Sequence, residues 1–571
     1  MSTMPRTLWR FPGGLHMEGH KGLSTGQPIS TAAITSQLVI PLQQHIGTPA
    51  KPLVSVGDRV LKGQMVAQPE GYVSAPVHAS SSGTVVAIEE RPVPHPSGLA
   101  APCIVIETDG MDQWCELTPH PEYKQLDPSA LRNLIRDAGI VGLGGAGFPS
   151  FIKLNPGART AIETLILNGA ECEPYISCDD MLMRERPLEV IKGARIMRHA
   201  LQARRCLIGI EDNKPEAANA MQQALNDLGE KEIEVVVVPT RYPTGGEKQL
   251  IKVLTGREVP SQGLPIDIGM VCHNVATAAA IYRAVEKGEP LISRIVTITG
   301  RGAQQPQNIE TRIGTPIGEL LAQAGGTRGD YQLLMGGPMM GFALHNQQLP
   351  TIKTTNCLLL ASEEELPPPA PAMPCIRCGE CARVCPALLL PQQLYWHSRA
   401  KEFDKVQDYH LFDCIECGCC AYVCPSSLPL VQYYRYAKTE IWAQEREKQA
   451  SDRARERHEF REFRKEREKE EKAARHKAKA QVVQKEGDDE GKKAAIQAAM
   501  DRARAKRESS EVAPKNTDNL TPEQQQKIAE IEARRAAATV SANAGAVANS
   551  VANAESAVSA ENSVCPGKEE Q

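Results

Sequence analysis

Between residues 375 and 425 the chain runs twice through one pattern, C-x2-C-x2-C-x3-C-P: Cys375, Cys378, Cys381 and Cys385-Pro386, then Cys414, Cys417, Cys420 and Cys424-Pro425. Three thiolates at these intervals in a tight loop cap three corners of an iron-sulfur cube, and the fourth cysteine, carried on a helix, points to the other cube. The spacing thus assigns Cys375, Cys378, Cys381 and Cys424 to one 4Fe-4S cluster, and Cys414, Cys417, Cys420 and Cys385 to a second. Zinc takes four ligands per site and gives no reason for a doubled run ending in Cys-Pro. Cys419 falls outside the spacing and reads as a small buried thiol.

The other nine of the seventeen cysteines are scattered singly, which is no disulfide framework. Free thiols beside cluster ligands fit a reducing compartment, the cytoplasm. A formal charge of −4 argues against a general nucleic-acid binder. Met1 to Gly14 has no apolar signal core, and no stretch approaches the roughly 18 apolar residues of a membrane span. Work at a membrane would therefore require docking onto something already there.

With 571 residues, 41% of them hydrophobic, several domains are expected. Residues 1–35 read as an arm over other domains. Residues 36–125 carry short β-type runs between Gly, Pro and Ser turns. Val54 to Gln64, with Ala75-Pro76 and Ser82 to Val85, resembles biotinyl and lipoyl carrier domains, yet the hairpin Glu70 to Ser74 lacks the lysine that carries their cofactor. A structural adaptor is the expectation. Residues 126–290 alternate strands and helices, an α/β domain. In it, an amphipathic helix through Leu131, Leu134 and Ile135 leads into Gly142-Leu143-Gly144-Gly145-Ala146-Gly147-Phe148-Pro149. The letters satisfy G-x-G-x-x-G, but a helix precedes them rather than a strand, so the dinucleotide signature is not met. Four glycines in six residues still let backbone amides close on a phosphate or a flat ring. The strand Thr164 to Leu167 ends in Asn168-Gly169-Ala170-Glu171-Cys172-Glu173, and two acids just beyond a strand's carboxyl end suit ribose hydroxyls. Residues 291–350 form a further small domain, 351–373 a Glu- and Pro-rich linker, 374–442 the cluster domain, and 443–571 a charged, Ala-rich tail that cannot bury a core.

These stretches together resemble the RnfC (RsxC) component of the Rnf ion-translocating electron-transport complex over residues 5 to 440. The central part is also similar to the NADH-oxidising flavoprotein subunit of respiratory complex I. The matching motifs are Gly144 to Pro149 with Lys153, Asn168 through Pro174, Gly245 through Lys248, and Asn274 through Thr277. The resemblance implies a multidomain α/β fold: a barrel-sandwich β domain, a Rossmann-like FMN/NADH domain, a β-grasp (SLBB) domain, a ferredoxin-type cluster domain, and a charged helical or disordered tail. It implies that Gly142, Gly144, Gly145, Gly147, Lys153, Asn168 and Asn274 hold FMN. Phe148, Glu171 and Glu173 would border NAD(H), with the two acids as the catalytic candidates. Glu247 joins the cofactor-binding set. The chain departs from the complex I pattern at Leu143, Ala170, Gly246 and Asn155-Pro156.

NADH surrenders electrons in pairs and clusters carry them singly, which a flavin between them reconciles. The resemblance further implies placement on the cytoplasmic face of the bacterial inner membrane, with Rnf-type membrane subunits and an iron-sulfur subunit as partners and ferredoxin as a candidate partner. The departures near Ala170 and Gly246 support a second reading, a flavin-free iron-sulfur relay or scaffold.

Overall fold

The computed structural model describes residues 6–157, 161–485 and 490–508. They fall in two units, the first ending at residue 450.

At its N-terminal side the first unit carries a sheet ordered Gln37–Pro41, Ala100–Thr108, Gly83–Pro92, Arg59–Val60, beside a smaller one of Lys51–Pro52, Met65–Gln68 and Val77–His78. Period-two alternation sends Leu38, Ile40, Ile104 and Ile106 into one core, and Val39, Cys103 and Val105 into another on the opposite face. The hairpin tip around Tyr72 is exposed and carries no lysine.

The α/β domain has four parallel strands ordered Ile233–Val238, Arg205–Glu211, Thr164–Gly169, Met270–Asn274. Helices Pro128–Asp137, Pro187–Leu201, Pro215–Asp227 and Val275–Glu286 cover one face, and Glu247–Thr255 with Phe11 the other. The chain order reverses between Thr164–Gly169 and Met270–Asn274, so their carboxyl ends form a switch-point crevice where such sheets take ligands. Asn168 and Asn274 are direct register partners there.

The next sheet is ordered Ser30–Thr31, Gln307–Arg312, Ser293–Thr299, Cys357–Ala361, Gln332–Met335, Phe342–Ala343 and packs on helix Ile317–Gln323. Two expectations change here. The linker expected over 351–373 starts late, because Cys357–Ala361 is an interior strand and wholly buried. The N-terminal arm also supplies an edge strand. Elsewhere that arm crosses the domains. The Trp9 amide donates to Val253 O, and the Gly14 amide to Val384 O at 2.8 Å.

In the cluster domain the two halves repeat their backbone, with left-handed residues at Arg377 and Glu416, Gly379 and Gly418, Leu388 and Ser427. The fourth cysteines do not lie on helices as expected. The short helices are Glu380–Arg383 and Cys419–Tyr422, so they hold Cys381 and Cys420, while Cys385 and Cys424 follow them. Pro386 and Pro425 are the cause, since proline pushes the preceding residue out of the helical region. Helix Leu430–Lys485 starts against this domain through Leu430, Tyr434, Ala437 and Ile441.

In the second unit, the part of that helix beyond residue 450 is solvated and carries Arg464–Glu468 and Arg467–Glu471 pairs. A further helix, Glu490–Glu508, leaves Ile496 and Met500 exposed. The rest of the tail lies outside the described residues.

One buried cation joins domains of the first unit. Lys353 Nζ donates to Pro76 O at 2.8 Å and to Gly139 O at 2.7 Å, beside His45 and His78. Burial lowers Lys353 to about 7, His45 to about 4 and His78 to about 3. Each group holds its proton to higher pH when unfolded, so stability rises with pH through the histidine window, up to 6.5. It rises again above about 7 toward the lysine's ordinary 10.5. Lys353→Met is expected to abolish the upper rise and keep the lower one, read as melting temperature against pH.

Candidate functional site

The four cysteines of each expected cluster line one cavity. Cys375, Cys378, Cys381 and Cys424 surround a cavity of about 360 Å³ near the surface, where Cys378, Ile376 and Trp396 are exposed. Cys385, Cys414, Cys417 and Cys420 line a deeper one. Burial raises the Cys414 thiol to about 11 and pushes Cys420 up as well, whereas a hydrogen bond with Cys419 holds Cys417 down. Four convergent sulfurs per cavity are the donor set that a 4Fe-4S cube requires. Cys419 is buried beside Cys417, as expected of a packing thiol.

The glycine loop closes through an isolated bridge between Val141 and Pro149 and is held from behind. The Leu143 amide donates to Thr277 Oγ1 at 3.0 Å, and Arg294 Nη2 to Leu143 O at 3.2 Å. Ile46 donates its amide to Gly147 O. Gly144, Gly145 and Ala146 face solvent, and their amides take part in no hydrogen bond among the described residues. Gly145 has φ +107 and room beside it.

Around this loop stand most of the anticipated residues. Asn274 caps helix Val275–Glu286 by accepting the Ala276 and Thr277 amides, and donates to Asp179 Oδ2 at 2.5 Å. Its Cβ is 3.3 Å from where a Gly144 Cβ would stand. Lys153 pairs with Glu247 at 2.5 Å. Asn168 donates to Gly245 O at 2.7 Å. Phe148 is half-buried, and its carbonyl accepts the Gly142 amide. Unpartnered, solvent-facing amides and a nearby ammonium fit a phosphate-bearing flavin.

Glu171 and Glu173 depart from expectation. The Glu171 carboxylate accepts the amides of Asp179 at 2.7 Å and Asp180 at 3.3 Å, at the start of helix Cys178–Glu185. Its side chain is 4% exposed, with Lys21 Nζ 3.9 Å away. Glu173 accepts the amides of Met339 and Met340 at 2.7 and 3.0 Å. Orphan amides attract carboxylates strongly, so both acids anticipated for nicotinamide ribose are committed to backbone. Asp179, which belongs to none of the sequence motifs, is raised to about 7 by its burial, with Glu171 adding to the effect.

A second residue that the motifs do not mark connects the two regions. Tyr242 lies three residues before Gly245 and is 3% exposed; its hydroxyl donates to Cys417 O at 2.7 Å. Burial holds its phenol well above the usual range. The deeper cysteine cavity therefore abuts the α/β domain, and the shallower one opens outward.

Comparison with known proteins gives the C subunit of the ion-translocating oxidoreductase complex of Pseudomonas aeruginosa at 54% identity, over 80% of this chain and 58% of that protein. That of Vibrio cholerae is 50% identical over 88% and 64%. That of Yersinia pestis is 47% identical over 93% of this chain and 84% of that protein. The chain belongs to the family of ion-translocating oxidoreductase complex C subunits.

This family member spans 58% and 64% of the length of the first two relatives. Its residues 9–111 match the RnfC barrel sandwich hybrid domain, 135–283 the Nuo51 FMN-binding domain, 295–343 the SLBB domain and 374–428 the 4Fe-4S dicluster domain. Matches to an FMN-binding domain and to a 4Fe-4S dicluster domain are thus both present in one chain. A crystal structure of an NAD+-reducing NiFe hydrogenase aligns at TM-score 0.39 and 20% identity over 51% of this chain and 57% of that one, too slight a likeness to argue from.

Proposed function

We propose that this chain is the peripheral electron-input subunit of a membrane-bound Rnf-type complex, passing electrons between NAD(H), FMN and two 4Fe-4S clusters. The observation that carries the reading is the covalent and hydrogen-bonded link from cleft to cysteines: Asn168 holds Gly245, and three residues back Tyr242 holds Cys417. The amides of Gly144, Gly145 and Ala146 would bind the FMN phosphate, with Lys153 and the cap of helix Val275–Glu286 beside them. Helix-end attraction there is worth roughly 0.3–1 kcal/mol. Cys385, Cys414, Cys417 and Cys420 would hold the nearer cluster, and Cys375, Cys378, Cys381 and Cys424 the one facing a partner. When bound, the flavin supplies the exchange between paired and single electrons. No helix among the described residues is long and apolar enough to cross a membrane. Ion movement is accordingly assigned to membrane subunits, with docking at the cytoplasmic face of the bacterial inner membrane. An iron-sulfur subunit or ferredoxin would exchange electrons at the outer cluster.

The commitment of Glu171 and Glu173 to backbone amides favours a second reading, a flavin-free relay between soluble partners and membrane subunits. Iron, sulfide and flavin content, followed by anaerobic NADH titration, separates the two. Electron input from NADH bleaches flavin absorbance and then cluster absorbance; a relay shows iron and no flavin bleaching.

A further inference from the structure

Among the four cysteines of the deeper cavity, Cys414 and Cys417 receive side-chain hydrogen bonds on their backbone carbonyls. Lys438 Nζ donates to Cys414 O at 2.7 Å, and its charge is met by Glu416 at 2.7 Å. Tyr242 donates to Cys417 O, and it comes from a different domain. The carbonyls of Cys375, Cys378, Cys381 and Cys424 receive no side-chain donor among the described residues. Tyr242 is fixed at both ends. Its backbone pairs with Leu15, amide to carbonyl in each direction at 2.7 and 2.8 Å, and its ring packs with Cys417, Cys419, Cys172 and Met339.

We propose that Tyr242 sets the reduction potential of the nearer cluster as a positioning residue, acting through the Cys417 carbonyl; the inference rests on the two-cluster reading above. Cluster potentials respond to net charge, nearby hydrogen bonds and exposure to solvent. Donors outside the ligand set tune a metal centre through the ligands they orient. Reduction adds one negative charge at the sulfur cradle and breaks no bond. The hydroxyl hydrogen is given to a ligand's carbonyl from a buried position beside the Glu173 carboxylate, where an oriented dipole counts for more than it does in water. It therefore favours the reduced state of this cluster and leaves the outer one untouched. Because Tyr242 belongs to the α/β domain, the same bond fixes the nearer cluster's position against the glycine-loop cleft.

The test compares the full chain with Tyr242→Phe, which keeps the ring and removes the donor. Potentiometric titration followed by electron paramagnetic resonance is run alongside iron and FMN assays. Expected are unchanged iron and flavin, one cluster signal shifted to lower potential and the other unmoved. Placing 3-fluorotyrosine at position 242, a more acidic hydroxyl on nearly the same shape, should shift the same signal upward. If the phenylalanine variant loses that cluster, the fluorinated protein decides alone. Two clusters with no shift in either protein, or with both signals moving together, overturn the inference while the two-cluster reading stands. A wild-type protein holding a single cluster overturns the reading and the inference with it.

Discussion

Gly144→Val is expected to give a folded protein that keeps its iron and has lost its flavin. A bare Cβ at this position already stands 3.3 Å from Asn274 Cβ. Valine adds two methyl groups with little rotamer freedom to turn them aside. The loop cannot retreat, because Thr277 and Arg294 hold the amide and carbonyl of Leu143, and Asn274 cannot, because it caps a helix and binds Asp179. The branched side chain then covers the amides that would take the phosphate. A loss of about 100-fold in FMN affinity, near 2.7 kcal/mol, is expected. Gly144 itself is exposed, and the tight contact with Asn274 should cost about 1–3 kcal/mol of stability, which leaves the chain folded. Gly147 contrasts with it: its φ is +64 and an added Cβ would stand 2.9 Å from Thr354 Cγ2, so substitution there disturbs the fold itself. FMN released by denaturation and iron measured on the same sample check the prediction. Normal flavin in the valine variant would remove the loop from the cofactor site.

Cys424→Ala is expected to erase the same cluster signal as Cys378→Ala, and Cys385→Ala the same signal as Cys417→Ala. Each variant should retain about half its iron, since each cluster draws its fourth ligand from the other run. The cavity linings favour this exchange. Cys424 shares a cavity with Cys375, Cys378 and Cys381, and Cys385 with Cys414, Cys417 and Cys420. Low-temperature paramagnetic resonance of the four reduced variants distinguishes the arrangements. If Cys424→Ala instead removed the signal lost in Cys417→Ala, each run would be serving its own cluster.

The convergence of the cysteines was legible because its spacing is written among neighbours in sequence, and the open glycine loop because four glycines in six residues stand out even where a plain turn would also use them. Orientation was not. Glu171 and Glu173 sit where ribose-binding acids would, but the amides that claim Glu173 belong to Met339 and Met340, far along the chain. Cys357–Ala361 read as linker because a short, continuous apolar run beside prolines lacks the alternation of a half-buried strand, and it is buried on both faces. Tyr242 gave no signal in sequence, since its partner is a backbone carbonyl in another domain.

The arm carries a consequence for biogenesis. Gly13 has φ +63, and a Cβ there would stand 2.5 Å from Val384 O and 2.6 Å from Cys385 O, while Lys21 Nζ is enclosed by the carbonyls of Glu171, Glu173 and Ile176. On the ribosome, the seat of Lys21 is complete once residue 176 has emerged, whereas Gly13 must wait for 384 and 385. The Gly13 end of the arm is a closing stitch beside Cys385, and it has its seat only once that stretch has been translated and shaped.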